Sequence, residues 1–463
     1  MRAEPPRPQP PSAVHALRIE QAGAEPVPAS ERHGRPWSLF TLWFGANVQF
    51  ATLSVGALST AVFGLDLLPA ALAITLGALL GSALIGLLST RGPGTGVLQL
   101  IQSRGPFGRL GNLPSAAFTV VNGVGWCVVD TVLGVFILRR LFSLDFTPAL
   151  LVMVVVQMAI AVVGHRMIHY VERVLAAVLV VVFAVVSVYG FGDAASSPAA
   201  TPFAGAAGAF VLTVSVTSAR CLGWASYASD YSRYFPEATS KKRVFGAAFG
   251  GAALAGVWIG VLGAALGTLS VVSDPSAMVS GVLPASLGNI TLFCLLLSTL
   301  ASTVIDLYSG SMAALVAGVR VERWVSVVCV GSLGAVLAWF AGRHDWAGQF
   351  QDFLLLTGYW LAPWAAVIIV AYWWRERSTP VARLYDPAHR YGWGLPAVLV
   401  GVLTSLPFMS QSLYTGPIAA AHPGLGDIGH FVGFAVAGLV FAALTAWKPA
   451  PVSAQATAPL INV

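Results

Sequence analysis

From Trp37 onward the chain is a succession of long apolar stretches separated by short polar or Gly/Pro-containing breaks. The stretches cover 37–63, 67–88, 114–138, 147–164, 171–190, 207–229, 244–270, 285–318, 322–341, 350–374, 394–411 and 428–447. Apolar residues follow one another in them without the period-two alternation of a barrel strand. A helix needs roughly 20 such residues to cross a hydrocarbon core. In lipid the backbone amides have only one another as partners, so runs of this kind are helices. The breaks carry turn residues: Gly64 to Asp66, Asp193 to Pro198, Asp274 with Pro275, and His422 to Gly426. The pattern predicts an all-α integral membrane protein of about 12 transmembrane helices.

Hydrophobic side chains make up 57% of the 463 residues and charged ones 10%, against roughly 25% charged in a soluble domain. A soluble globular enzyme, a disordered chain and a collagen are excluded. Residues 1–36 differ from the rest: prolines alternate with Arg, Glu and Ser, and large apolar residues are almost absent. That composition predicts a disordered tail, without the apolar core of a cleaved signal peptide. Of the 25 Lys and Arg, twenty-one fall on the side of this tail, among them Lys241-Lys242-Arg243 and Lys448, while Arg139, Arg140 and Arg343 fall on the other. The positive-inside rule then places both termini in the cytoplasm, as expected of a multi-pass protein of the cytoplasmic (inner) membrane. The basic cluster fits this topology and needs no nucleic-acid partner. Cys127, Cys221, Cys294 and Cys329 lie inside apolar runs, which argues against a disulfide framework.

Polar groups in the middle of apolar runs carry the candidate chemistry. The first run holds Phe44-Gly45-Ala46-Asn47-Val48-Gln49 at its middle, and the sixth holds Ser218-Ala219-Arg220-Cys221-Leu222-Gly223-Trp224. Many secondary transporters contain two inverted five-helix halves whose first helix is broken at mid-membrane; the first and sixth runs have the spacing for this. Asp130, Arg220 and Asp306 are charges deep in the third, sixth and eighth runs. Intramembrane charges face a cavity or a partner and mark a substrate or ion path; the plain structural alternative is an ion pair of Arg220 with either aspartate. Trp126 and Asp130 are four residues apart, hence on one helix face. A flat heteroaromatic ring would stack on the indole while its N–H groups meet the carboxylate. In the eighth run, residues 298, 299, 302, 303, 306 and 309 form one polar stripe at helical spacing. Gly92-Pro93-Gly94-Thr95-Gly96 lacks the Lys of a phosphate loop and is expected to be a turn-rich loop. His165 and His169 lack a zincin glutamate and are expected on a solvated loop.

These residues resemble the nucleobase:cation symporter family, the purine–cytosine permease and hydantoin transporter group. The resemblance covers about residues 35–448. It is carried by Trp37 and Leu42-Trp43-Phe44-Gly45-Ala46-Asn47, by Gly125-Trp126, and by Gly223-Trp224 followed by Ser229-Asp230-Tyr231-Ser232-Arg233-Tyr234. It implies an inverted-repeat core of ten helices, broken in helices 1 and 6, plus two peripheral helices. It also implies a base held between Trp126 and Trp224, with Asp130, Gln49 and Asp306 contacting it. The backbone carbonyls of Gly45 and Val48 would look toward a sodium ion. The family's sodium-binding hydroxyls fall here on Ala301 and Leu300, and the hydroxyls stand instead at Ser302 and Thr303. Sodium and proton coupling are therefore both open.

The expected organisation is a tail over 1–36, a transport core over 37–374, peripheral helices over 375–447 and a cytoplasmic tail over 448–463. The expected function is secondary active import of a nucleobase or related planar heterocycle, cytosine or a purine foremost, by alternating access. Its partners are the small-molecule base and the lipid bilayer, with no nucleic acid, no obligate protein partner and no cofactor beyond the coupling ion. The alternatives are an amino-acid or other small-solute symporter on the same fold and, from another class, an intramembrane enzyme or receptor. An enzyme would show a nucleophile with its base or a metal cluster, and neither is visible.

Overall fold

The computed structural model describes residues 25–163, 165–194, 205–269, 274–316, 323–375 and 380–447. Among them the secondary structure is helical, with one isolated antiparallel bridge between Ser410 and Thr415. The long elements are α1 (Pro36–Asn47), α2 (Phe50–Ala61), α3 (Leu67–Ser89), α4 (Leu113–Phe142), α5 (Phe146–Val163), α6 (His165–Asp193), α7 (Gly205–Leu222), α8 (Lys241–Gly267), α9 (Ala285–Val316), α10 (Arg323–Ala341), α11 (Trp346–Ile369), α12 (Gly394–Ser405) and α13 (Gly429–Trp447). Eight helices among the described residues are long and apolar enough to cross a membrane, and four shorter ones are apolar.

The first run is not one helix. α1 starts with Pro36 in its first turn, where a missing N–H costs nothing, and ends at Asn47. Asn47 turns its side-chain amide back to the carbonyl of Trp43 at 2.6 Å, a local bond that competes with the helical ladder. Gln49 is extended (φ −147°, ψ 162°), and α2 begins at Phe50. The sixth run loosens in the same way: α7 ends at Leu222, Gly223 and Trp224 form a turn, and short helices cover Ala225–Tyr227 and Ala228–Ser232.

Small residues let these helices approach closely, as membrane helix pairs require. α2 and α8 meet at Gly56, Gly260 and Gly263, and α3 meets α7 at Gly77 and Gly81. A Cβ on Gly77 would stand 2.6 Å from the carbonyl oxygen of Val214 and 2.8 Å from Cβ of Thr217. Gly77→Val is therefore expected to lower stability by about 1–3 kcal/mol or more. Gly246→Ala, where a Cβ meets nothing within 4 Å, should leave the melting temperature unchanged or raise it. Thermal unfolding of the two variants in detergent checks this.

α4 packs along α9, which sets the third run against the eighth, and α7 packs on α3 and α11. The start of α13 is docked inside the bundle: the His430 ring lies 3.0 Å from the Ser218 hydroxyl of α7, and the Tyr359 hydroxyl of α11 donates to Asp427.

Three expectations change. The tail expected over 1–36 is packed from its later part on: Val27 is buried, its N–H donates to Gly96 O at 2.8 Å, and Arg32 donates to the carbonyls of Val27 and Pro93. Gly34 N–H donates to Tyr234 O at 2.9 Å as well, so this segment is tied down although its composition reads as disordered; residues 1–24 and 448–463 lie outside the described residues. The expected loop at 92–96 contains a single helical turn, Gly92–Thr95, stopped by Gly96 at φ 69°. His165 and His169 fall within α6 rather than in a loop; no glycine or proline interrupts the chain between His165 and Gly190.

Candidate substrate and cation site

Helix spacing places Asn122, Trp126 and Asp130 on one face of α4, toward the broken end of α7. Asn122 is buried; its Nδ2 donates to Gly223 O at 3.5 Å, and its Oδ1 accepts from the Thr357 hydroxyl at 3.1 Å. The half-buried Trp126 lies against Gly223: a Cβ there would stand 2.9 Å from the indole Nε1. Only glycine admits the ring so close. Trp126 also meets Phe353 of α11 in a T-shaped contact, with centroids 5.4 Å apart and planes at 82°. Trp224 follows Gly223 directly and packs edge-on against the buried Trp43, 6.0 Å between centroids. Trp126 and Trp224 thus converge on one turn of the chain, and the ring contacts described for them are with Phe353 and Trp43.

Asp130 and Asp306 are buried, 3% and 7% exposed. They are electrostatic neighbours across the α4–α9 contact, with Cys127 beside both. Among the described residues neither forms an ion pair. Two buried carboxyl groups on helices that pack together are best accommodated by a proton or a bound cation. Ser302 lies near Asp130 and donates to Gln49 Oε1 at 3.3 Å, which joins the α1–α2 break to α9.

The alternative reading of Arg220, an ion pair with an aspartate, is not realised among the described residues. Arg220 is 1% exposed and donates instead to Thr52 Oγ1 at 3.0 Å and Asn47 Oδ1 at 2.5 Å. These neutral oxygens lie at the break of the first run, nearer to the last turn of α7 than the carboxylates on α4 and α9.

The cation candidates are less assembled. Gly45 O accepts from Val48 N–H at 3.1 Å. In the eighth-run stripe, Thr303 donates to Thr299 O at 2.9 Å and Thr299 to Leu296 O at 2.9 Å. These hydroxyls use their protons on their own helix and keep lone pairs for a cation. The side chain of Ser309 lies outside the described residues.

Sequence reasoning missed several of these groups. Asn122 was legible, one further helical step from Trp126 and Asp130. Phe353, Thr357 and Thr52 carry no local signal, since they are ordinary residues of apolar runs that matter through residues distant in the chain.

The model of a family described as permease for cytosine/purines, uracil, thiamine, allantoin matches residues 26–433. A Bacillus subtilis protein named "Putative purine-cytosine permease YxlA" is 28% identical over 92% of this chain and 95% of its own length. Purine-cytosine permease fcyB of Emericella nidulans is 25% identical, covering 92% of this chain and 88% of that protein. Among solved structures, Mhp1, a nucleobase-cation-symport-1 family transporter, superposes in its closed form with bromovinylhydantoin at TM-score 0.72, with 18% identity over 93% of this chain and 95% of the other. Its inward-facing form gives 0.75 at 18% identity, over 93% and 94%. At that identity the likeness is one of fold.

Proposed function

We propose a proton-coupled base importer: the chain belongs to the family of permeases for cytosine/purines, uracil, thiamine and allantoin. It is a multi-pass secondary nucleobase transporter and not an enzyme. The observation that carries the site is the close approach of Trp126 to Gly223, the residue before Trp224, one helical turn from the buried Asp130. In this reading the base stacks on Trp126 and Trp224, while Asp130, Gln49 and Asp306 read its ring edge. Cytosine or a purine is the substrate, in line with the names of the relatives. The amino-acid alternative loses ground, because the Arg220 donors that would take a substrate carboxylate already serve Asn47 and Thr52.

The finer architecture belongs to the same proposal: twelve spans, with a five-plus-five inverted core over 37–374 whose breaks are Val48–Gln49 and Gly223–Trp224. The helices of 375–447 are peripheral, and both termini lie on the cytoplasmic face of the cytoplasmic membrane. The interrupted helices and the one-sided basic residues support it.

Of the two coupling ions, the proton is favoured by two buried carboxyl groups that have no cationic partner among the described residues. The sodium site at Gly45, Val48, Ser302 and Thr303 is the competing reading. The test is a binding screen of purified protein against cytosine, adenine, hypoxanthine, uracil and allantoin, with sodium and pH varied separately. At fixed pH, affinity should be equal in sodium and in choline. It should tighten as pH falls, because a proton taken up with the base strengthens base binding by the same factor that the base strengthens proton binding. Affinity that follows sodium and ignores pH would hand the coupling to the Ser302–Thr303 site. No binding of any of these bases would sink the substrate assignment.

A further inference from the structure

Arg220 is a permanent cation set where two helix ends meet. It lies in the last turn of α7, and its partner Asn47 is the last residue of α1. Both helices therefore bring their carbonyl ends, the negative pole of the helix dipole, toward the guanidinium. Nη1 donates to Thr52 Oγ1 at 3.0 Å; Nη2 donates to Asn47 Oδ1 at 2.5 Å and to Cys221 Sγ at 3.5 Å. Asn47 is oriented for this by its own Nδ2, which donates to Trp43 O and so leaves Oδ1 facing the arginine. Thr52 lies in the first turn of α2, so the guanidinium bridges the interruption at Val48 and Gln49. Gly256 of α8 lies beside the guanidinium: a Cβ there would be in van der Waals contact with Nη2, at 3.5 Å.

Every described acceptor of Arg220 is uncharged. A buried guanidinium without a counter-charge is costly and persists where oriented dipoles stand in for one. In transporters of this architecture, unwound carbonyls and half-helix C-terminal ends are the groups that hold a coupling cation. We propose that Arg220 is a resident cation: its fixed charge fills the junction between the first-run break and the end of α7, where a free ion would otherwise bind. It is a positioning residue. By fixing both sides of the break it sets Gln49, which reaches Ser302 of α9, beside the base. The effect on base binding rests on the function proposed above; the clamp itself does not.

The test compares full-length purified Arg220→Ala with the parent, each with and without guanidinium at low-millimolar levels, far below denaturing ones. Arg220→Ala should melt lower, and guanidinium should restore most of that loss while leaving the parent unaffected. Base affinity should fall by roughly tenfold to a hundredfold, as for lost hydrogen bonds to a charged group, and return with guanidinium. Arg220→Lys should keep part of it. If Arg220→Met, similar in length and apolar, binds base like the parent, or if guanidinium leaves Arg220→Ala unchanged in melting temperature, the resident-cation role is refuted. If neither neutral variant folds, Thr52→Val decides: it keeps the charge and removes one acceptor, and should weaken base binding by roughly threefold to tenfold. Unchanged affinity there refutes the clamp. If the parent binds no base, the transport reading fails separately, and the guanidinium effect on melting still decides for or against Arg220.

Discussion

Asp306→Asn should abolish accumulation of the base while leaving the protein folded and able to exchange base for base. The geometry separates these two properties. Asp306 has no ion-pair partner among the described residues, and Arg220 is satisfied by Asn47 and Thr52, so removing the carboxylate strands no buried cation. Asparagine has nearly the same volume and retains hydrogen-bonding capacity at the ring edge, but it cannot take up a proton. It also removes a buried ionisable carboxyl group, so stability should hold or rise. In proteoliposomes with an imposed pH gradient the parent should concentrate labelled base, and Asp306→Asn should only equilibrate it. Counterflow without a gradient should persist in both. Asp130→Asn is the sister experiment: as a direct acceptor for ring N–H groups, its loss should cost roughly tenfold to a hundredfold in affinity. Accumulation at parental level by Asp306→Asn would remove the carboxyl pair from the coupling mechanism.

The sequence discloses some of this and hides the rest for physical reasons. Spans are legible because lipid imposes one requirement, internal satisfaction of every backbone group, on about 20 residues at a time. The interruption at Val48–Gln49 is legible because Asn47 and Gln49 are polar where lipid would reject them. Trp126 and Asp130 are legible because helical spacing alone puts them on one face. The partners of Arg220 are not. Thr52 and Asn47 lie 168 and 173 residues away, and a threonine in an apolar run gives no sign of whether it caps its own helix or receives a guanidinium. Charge alone offers an ion pair with aspartate as the structural alternative; the guanidinium instead meets neutral oxygens at a helix break. Residues 25–35 were hidden for the opposite reason. Their composition is that of a disordered tail, and their order comes from a few specific bonds, Val27 to Gly96 and Arg32 to Pro93.

Trp126→Ala should weaken base binding by roughly tenfold to a hundredfold, since stacking on an aromatic side chain contributes about 1–3 kcal/mol per base. The indole is half-buried and is held by two contacts, the bare backbone at Gly223 and the ring of Phe353. It is therefore held ready for stacking before any base arrives, and little ordering remains to oppose the gain. Trp126→Phe should keep part of the affinity, because a smaller ring still offers a π-face. Gly223→Ala should behave like a partial Trp126 defect: its Cβ would meet the indole Nε1 at 2.9 Å and tilt the ring away without removing it. Trp224→Ala should approach the Trp126→Ala loss if Trp224 covers the opposite face of the base. Trp224 also supports Trp43, 6.0 Å away, so this variant should lose melting temperature as well, which Trp126→Phe should not. Binding isotherms for the four variants with the best base, read beside their melting curves, separate stacking from packing. Should folded Trp126→Ala and Trp224→Ala both bind as the parent does, the base lies elsewhere, and Asn122, Trp126 and Gly223 form only a structural contact between α4 and the end of α7.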